Sequence, residues 1–291
     1  DSPERLFIFH HFDQRGFFPS TWVNLLLLIK NAGWHVIIST SEINIKSSIE
    51  LESHGFLIAK RLNIGLCLGA YKDLILLLQQ DSNISRKLKS LVLCNDSTLP
   101  ILNKINLVAH LTNLIKHQEN STQPILIGMT DSVERGAYHL QSYFLYVNSQ
   151  ALKSSLWNRF WLKFNPFQDK DKLINDGEIG LSQAALNEGF RLKALYPLIE
   201  NITSEQMMSK ELRKSGFPKL SSINQTLFAW KTLLERGCPL IKKRVIFDDD
   251  INSNEFLSLT YIEKYLSSDE KEIFIDDLKE IFIGRYILTK L

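Results

Sequence analysis

The 291-residue sequence has no apolar run of bilayer length: stretches such as Leu25–Ile29 and Leu74–Leu78 stop far short of the roughly 20 residues a spanning helix needs. Cysteine is scarce. Cys67, Cys94 and Cys238 form no CxxC pair, which argues against a disulfide framework and a cysteine zinc site and predicts buried thiols. No GxxxxGK[ST], HExxH or GxSxG motif occurs, so the phosphate loop, the zincin helix and the nucleophile elbow are all missing. Internal repeats and low-complexity linkers are missing too. The opening Asp-Ser-Pro-Glu-Arg5 carries no basic segment followed by an apolar stretch of secretory length, and a cytosolic protein is expected.

What is present is globular in composition. At 44% apolar, 10% aromatic and 23% charged, the chain can bury a core in one large or two modest domains, and collagen-like, coiled-coil or wholly disordered readings fall away. The net charge of +2 hides an asymmetry: residues 245–291 hold 11 acidic and 5 basic side chains, a net of −6, against +8 for residues 1–244. The larger part suits an anionic ligand. It lacks the dense Lys/Arg clustering that a polynucleotide requires, so no nucleic-acid partner is expected and a small phosphorylated ligand fits.

Short apolar runs alternate with helical patterns. Leu6–Phe9 reads as a strand, Thr21–Ala32 as a helix and Val36–Thr40 as a second strand, a β-α-β opening. Phe56–Lys60, Leu91–Cys94 and Ile125–Gly128 read as further strands, with helices near Asp73–Gln80 and Pro100–His117. The alternation predicts an α/β fold, a parallel or mixed sheet covered by helices. Beyond Tyr138, one strand is predicted over His139–Val147, helices over Ser149–Phe164 and Ile179–Glu188, and a short strand near Arg191–Leu195. From about Glu205 the pattern is helix-rich and polar, with an acidic turn at residues 248–253.

In open α/β sheets ligands sit beyond the carboxyl ends of strands, so the loops there hold the first candidates. They are Arg61, Asn63 and Gly65 with Gly69 and Lys72, then Asn95, Asp96 and Ser97, then Thr130, Asp131 and Ser132. Gly65 and Gly69 either let backbone approach a phosphate or only punctuate a turn. Asp96 either binds a cation or a sugar hydroxyl, or caps the following helix. Asp131 and Ser132 carry the same ambiguity. A period of two over His139–Val147 places His139, Gln141 and Tyr143 on one polar, aromatic face, either a sugar-binding surface or ordinary satisfied groups. Asp176 and Glu178 are either general bases or charges that stabilise the positive end of the next helix. His10-His11 with Asp13 is rejected as a metal trio because adjacent side chains on a strand point to opposite faces. The acidic run Asp248-Asp249-Asp250 lacks EF-hand spacing. Lys242-Lys243-Arg244 is too short to be a membrane patch and reads as solvated surface, which leaves peripheral contact with anionic headgroups as the other option.

Taken in order, these segments resemble the rhamnan synthesis protein F family, over about Leu6 to Phe247. The marks are Phe-His-His-Phe-Asp13, Arg61-Leu-Asn63-Ile-Gly65 with Gly69-Ala-Tyr-Lys72, Leu91-Val-Leu-Cys-Asn-Asp-Ser97 and His139-Leu-Gln-Ser-Tyr-Phe144, the most specific piece. Glu178-Ile-Gly-Leu-Ser182, Asn224-Gln-Thr-Leu-Phe-Ala-Trp230 and Gly237-Cys-Pro-Leu-Ile-Lys242 follow. The resemblance implies a glycosyltransferase of bacterial surface-polysaccharide assembly with a GT-A-like, Rossmann-like fold. Residues 1–204 would form the transferase core and 205–291 a helix-rich extension packed on it. The implied donor is a nucleotide sugar, dTDP-rhamnose or a relative; the acceptor is a glycan or lipid-linked glycan, met in the cytoplasm or at the inner face of its membrane.

The resemblance also implies roles. Arg61, Asn63, Gly65, Gly69, Lys72, Asn95, Asp96 and Ser97 would hold the donor, Gln141 and Tyr143 the sugar or acceptor, and Glu178 would be the base, with Asp131 and His139 as alternatives. Asn95-Asp96-Ser97 stands where many GT-A enzymes carry Asp-x-Asp, and its second Asp is missing, so Mg²⁺ or Mn²⁺ at Asp96 would have one carboxylate fewer. Lys72 or Arg61 would then neutralise the leaving diphosphate. The acidic residue the family commonly carries after Gly65 is replaced by Leu66. The competing expectation is a non-catalytic carbohydrate-binding or assembly module that keeps the transferase fold.

Overall fold

The computed structural model describes residues 2–101, 104–167, 169–202, 221, 223–247 and 255–288. The acidic turn at 248–253 lies outside them. The predicted α/β class holds: a mixed, mostly parallel sheet of eight strands is flanked by helices, with a helix-rich C-terminal part.

The first strand, β1 (Arg5–His11), runs parallel to both β2 (His35–Thr40) and β4 (Ser90–Asn95), and β2 in turn to β3 (Leu57–Lys60). A central parallel strand is covered on both faces, which is why Leu6, Phe7, Ile8 and Phe9 are apolar without alternation. Their side chains still separate by the period of two. Phe7 and Phe9 join one core cluster with Trp22, Leu26 and Val92, while Leu6 and Ile8 join the other with Tyr71, Leu91 and Trp157. On the far side of β4, β8 (Phe144–Asn148) runs antiparallel, followed by β6 (Ile125–Ser132), with β9 (Arg191–Tyr196) parallel beside it.

Two expected elements divide. The single strand predicted over His139–Val147 is β7 (His139–Leu140) and β8, both paired with β6 but in registers that differ by two residues: Asp131 faces Leu140, whereas Gly128 faces Leu145. The slack falls on Gln141–Tyr143, as at a β-bulge, and breaks the predicted common face of His139, Gln141 and Tyr143. The helix predicted over Ser149–Phe164 is two, Ser149–Leu152 and Ser155–Lys163, because Ser154 Oγ accepts from Trp157 N at 3.1 Å and caps a new start. Strand β6 also runs on to Ser132, so Thr130, Asp131 and Ser132 lie in a strand rather than the loop expected there.

Past residue 222 a separate two-stranded sheet forms beside the main one. Strand β10 (Leu240–Lys242) pairs antiparallel with β5 (Thr98–Pro100) directly after β4, with Lys242 opposite Thr98. Trp230, Leu234 and Ile241, with Phe274 and Leu278 of the last helix (Ser268–Leu288), enter the same cluster as Trp22 and Phe144.

Candidate functional site

A cavity of about 640 Å³ opens beyond the carboxyl ends of β1 and β4, the size and place of a small-molecule site in an α/β sheet. Its floor is tied across the strands, since Asp96 N donates to His10 O at 3.0 Å.

One side of the wall is built on the β5–β10 pairing. Asn95 Oδ1 accepts from Ser97 N at 3.0 Å in a tight turn that projects Asp96, whose Oδ2 accepts from Phe12 N at 3.2 Å and from Lys243 Nζ at 3.2 Å. Burial alone would raise the Asp96 pKa, but Lys243 and, to a lesser extent, His11 and His10 bring it below the usual value. Lys242 Nζ donates to Ser97 Oγ at 2.8 Å and sits 4.4 Å from the centre of the Tyr143 ring. Lost hydration there lowers its pKa to about 8. Arg244 completes this basic run at the cavity wall; Lys242 and Lys243 are half-buried there rather than solvated as their sequence suggested, while Arg244 is exposed. The burial of His10 likewise keeps it neutral, with a pKa of about 4, and its Nδ1 is enclosed without a hydrogen-bond partner. His11 points the other way, to Phe17 O and Thr40 Oγ1.

The remaining wall centres on Glu178. It lies in a π-helical turn, Leu173–Ile179, that runs into the helix Gly180–Asn187, so it does not stand at a free helix start as expected. Gly177 lets that turn pack closely, because a side chain there would sit 2.5 Å from Leu68 Cδ1 and 3.1 Å from the Phe164 ring. Ser142 Oγ donates to Glu178 Oε2 at 2.6 Å, and His139 Nε2 lies 3.6 Å from Oε1. His139 Nδ1 faces Ala137 O at 2.9 Å, and a carbonyl only accepts, so the Nδ1 proton is fixed and Nε2 is the nitrogen turned to the carboxylate. Next to them, Asn224 Nδ2 donates to Glu134 Oε2 at 2.8 Å and Gln141 Nε2 donates to Asn224 Oδ1 at 3.3 Å. Arg135 reaches Asp171 Oδ1 at 2.6 Å and Asn175 Oδ1 at 3.0 Å, which ties this side to the segment carrying Glu178.

Of the residues to which the resemblance gives roles, Asn63, Gly65, Asn95, Asp96, Ser97, His139, Gln141 and Glu178 meet at this one cavity. Five others stand outside its lining. Arg61 pairs with Asp73 at 2.9 Å and donates to Ile64 O at 2.7 Å, while Lys72 donates to Phe164 O and spans two helical segments. Gly69 lies against Ile64 O, where a side chain would collide with the carbonyl. Asp131 is buried, its Oδ1 accepting from Leu198 N at 2.6 Å and Gln225 Nε2 at 3.1 Å. Tyr143 is buried beneath Lys242, its hydroxyl accepting from Thr130 Oγ1 at 2.8 Å. The thiol expectation needs one change: Cys94 and Cys238 are buried, but Cys67 is half-buried at the cavity wall, its pKa pushed up to about 11 by loss of hydration.

Sequence reasoning gave no site role to Ser142, Glu134 or Arg135, set His10 aside with the rejected metal trio, and read the Lys242–Arg244 run as surface. The signal for the last was on the page, three consecutive cations after an apolar strand-like Pro-Leu-Ile, but its partner strand is remote in sequence. Among the described residues no three His, Cys, Asp or Glu side chains converge as a metal-ligand set, and no helix is long and apolar enough to cross a membrane.

The sequence model of the family described as rhamnan synthesis protein F matches residues 35–281, a span that leaves out β1 but reaches well into the last helix. The Sinorhizobium fredii protein y4gN is 27% identical over 186 residues, covering 64% of this chain and 46% of its own length. The chain thus spans about half of that relative. The virulence protein VirA of Vibrio anguillarum is 23% identical over 271 residues, covering 87% of this chain and 81% of its own. Among solved structures, a cytidylyltransferase from Leptospira borgpetersenii aligns at TM-score 0.38 and 12% identity, covering 68% of this chain and 76% of that one. The Streptococcus pneumoniae glycosyltransferase GlyE aligns at TM-score 0.40 and 10% identity, covering 96% and 64% respectively. Likenesses this distant carry no argument about chemistry.

Proposed function

The chain belongs to the rhamnan synthesis protein F family, and from that premise we propose that it is a nucleotide-sugar-dependent glycosyltransferase of polysaccharide synthesis. The donor is dTDP-rhamnose or a close relative, and the acceptor is a glycan or lipid-linked glycan. The observation that carries the reading is the pairing, within one cavity, of a cationic wall with a carboxylate that accepts from a serine and lies beside a histidine.

Sugar transfer asks for both. The bond from the anomeric carbon to the diphosphate oxygen breaks and leaves its electron pair on the diphosphate, where Lys242 and its neighbours meet the charge. The acceptor oxygen bonds to the same carbon and gives its proton to Glu178, in a single displacement with inversion. Ser142 holds the carboxylate through Oε2. His139, with its Nδ1 proton fixed on Ala137 O, stands beside it, Nε2 3.6 Å from Oε1. Asp131 is the weaker candidate for base because its carboxylate already serves Leu198 N and Gln225.

The test is turnover of dTDP-rhamnose, with UDP-, GDP- and CMP-linked sugars as controls, alongside thermal shift with the free nucleotides. Glu178→Gln is expected to keep nucleotide binding and lower turnover by roughly 10²- to 10⁴-fold. Unchanged turnover would remove Glu178 as the base. Binding of a nucleotide or glycan with no turnover of any donor would point to the non-catalytic module instead.

A further inference from the structure

We infer that this chain holds the nucleotide diphosphate with Lys242, Lys243 and Arg244 in place of a divalent cation. The inference rests on the nucleotide-sugar reading of the cavity and deepens it.

A hard cation at a diphosphate draws several oxygen ligands from the protein, carboxylates first. Here the single carboxylate at the end of β4 is spoken for. Asp96 Oδ2 accepts from both Lys243 Nζ and Phe12 N, each at 3.2 Å, and no further acidic, histidine or cysteine side chains among the described residues complete a ligand set around it. The donor set fits a fixed ammonium better than Mg²⁺ or Mn²⁺.

The cations are placed by architecture rather than by chance of surface charge. The β5–β10 register sets Lys242 opposite Thr98, and Lys243 N donates to Ser97 O at 3.0 Å, so the basic run is stitched to the Asn95–Ser97 turn by backbone bonds. Lys243 is balanced by Asp96. Lys242 Nζ touches a hydroxyl, Ser97 Oγ, and an aromatic face, and the Glu178 carboxylate of the same cavity acts on it electrostatically without closing an ion pair, which leaves the ammonium turned to an anion between the two walls. Loss of hydration makes this half-buried ammonium costly, and its pKa falls to about 8 even though the Glu178 carboxylate acts to raise it. A bound diphosphate answers each of these features.

The experiment is isothermal titration of the full chain with dTDP, dTMP and inorganic pyrophosphate, in EDTA and again with Mn²⁺, on the wild type, Lys242→Met and Arg244→Gln, each checked by circular dichroism. The expected result is dTDP binding in EDTA within twofold of that in Mn²⁺, at least tenfold tighter than dTMP, and weakened tenfold or more by Lys242→Met. Should Lys242→Met fail to fold, the exposed Arg244→Gln is read alone, and it is expected to weaken dTDP and pyrophosphate severalfold. Binding of dTDP that requires Mn²⁺ overturns the inference and leaves the transferase reading standing. Metal-free binding that none of the folded variants weakens overturns it as well. If neither dTDP nor UDP, GDP or CMP binds under either condition, the transferase reading falls and takes the inference with it.

Discussion

Asp96 is the residue at which two accounts of the site part. A metal-binding Asp96 and a Lys243-paired Asp96 predict opposite consequences of losing its charge. Asp96→Asn keeps an oxygen to accept from Phe12 N but releases Lys243 from its 3.2 Å ion pair, so the wall becomes more positive towards the cavity. Titration calorimetry in EDTA is expected to show dTDP bound at least twofold more tightly by this variant. A metal-anchoring carboxylate would give the reverse, a loss of binding that added Mn²⁺ does not restore. The chemistry at this position was partly legible in the sequence, because a carboxylate directly after an apolar strand stands at a ligand-binding edge. Its counter-charge was not, since Lys243 lies 147 residues further on and nothing local marks it as Asp96's partner. Arg61 and Lys72, the cations near Gly65 in sequence, were the natural candidates, and both turn to protein acceptors instead.

At the scale of elements, the loops that the sequence brought out are positioned by packing as much as by hydrogen bonds. The helix Leu66–Gln80 begins with Gly65 in a left-handed conformation (φ 73°), and one turn later Gly69 lies against the carbonyl of Ile64. That contact holds the Arg61–Gly65 loop, with Asn63 and Gly65, at the cavity wall. Gly69→Ala places a methyl group where the carbonyl already is, which cannot be relieved by a side-chain rotation. The expected cost is about 1–3 kcal/mol of stability, as for other overpacking changes. Calorimetry should also show weaker nucleotide binding, because the loop must move to make room; a loss of stability with binding unchanged would separate the loop from the ligand. Gly69 thus resolves as a close backbone approach between two protein segments. The β6, β7 and β8 region shows the limit of periodic reasoning. His139 to Val147 has the composition of one strand, but its two-residue change of register against β6 is a property of the pair, invisible in either strand alone. Ser142, which sequence alternation placed on the face away from His139, comes to share Glu178 with it.

Across the whole molecule, the last helix fastens the first. The helix Ser20–Asn31 starts after Pro19, which has no side chain able to cap it, and its first amides are met from the far end of the chain: Ser20 N and Thr21 N donate to Asp277 Oδ1 and Oδ2 at 2.8 and 2.7 Å. Asp277 is buried, and Phe274, Leu278 and Ile281 around it belong to the core cluster that includes Trp22 and Val23. Asp277→Ala leaves two amides of the first turn unmet, a loss of about 1–2 kcal/mol on the scale of N-cap deletions. That corresponds to a Tm lower by about 2–3 °C for a chain of this size. The pH dependence gives a sharper check. Burial raises the Asp277 pKa above its usual 3.8 despite the bonds from Thr21 and Ser20, so the folded protein holds this proton after the unfolded chain has released it. Its contribution to stability is therefore full below pH 3.8 and declines as pH rises through the folded-state value. Wild-type and Asp277→Ala melting curves compared from pH 4 upward should show a gap that narrows as pH rises. A gap that widens instead would mean that the two backbone bonds outweigh burial and hold the carboxylate below its unfolded value.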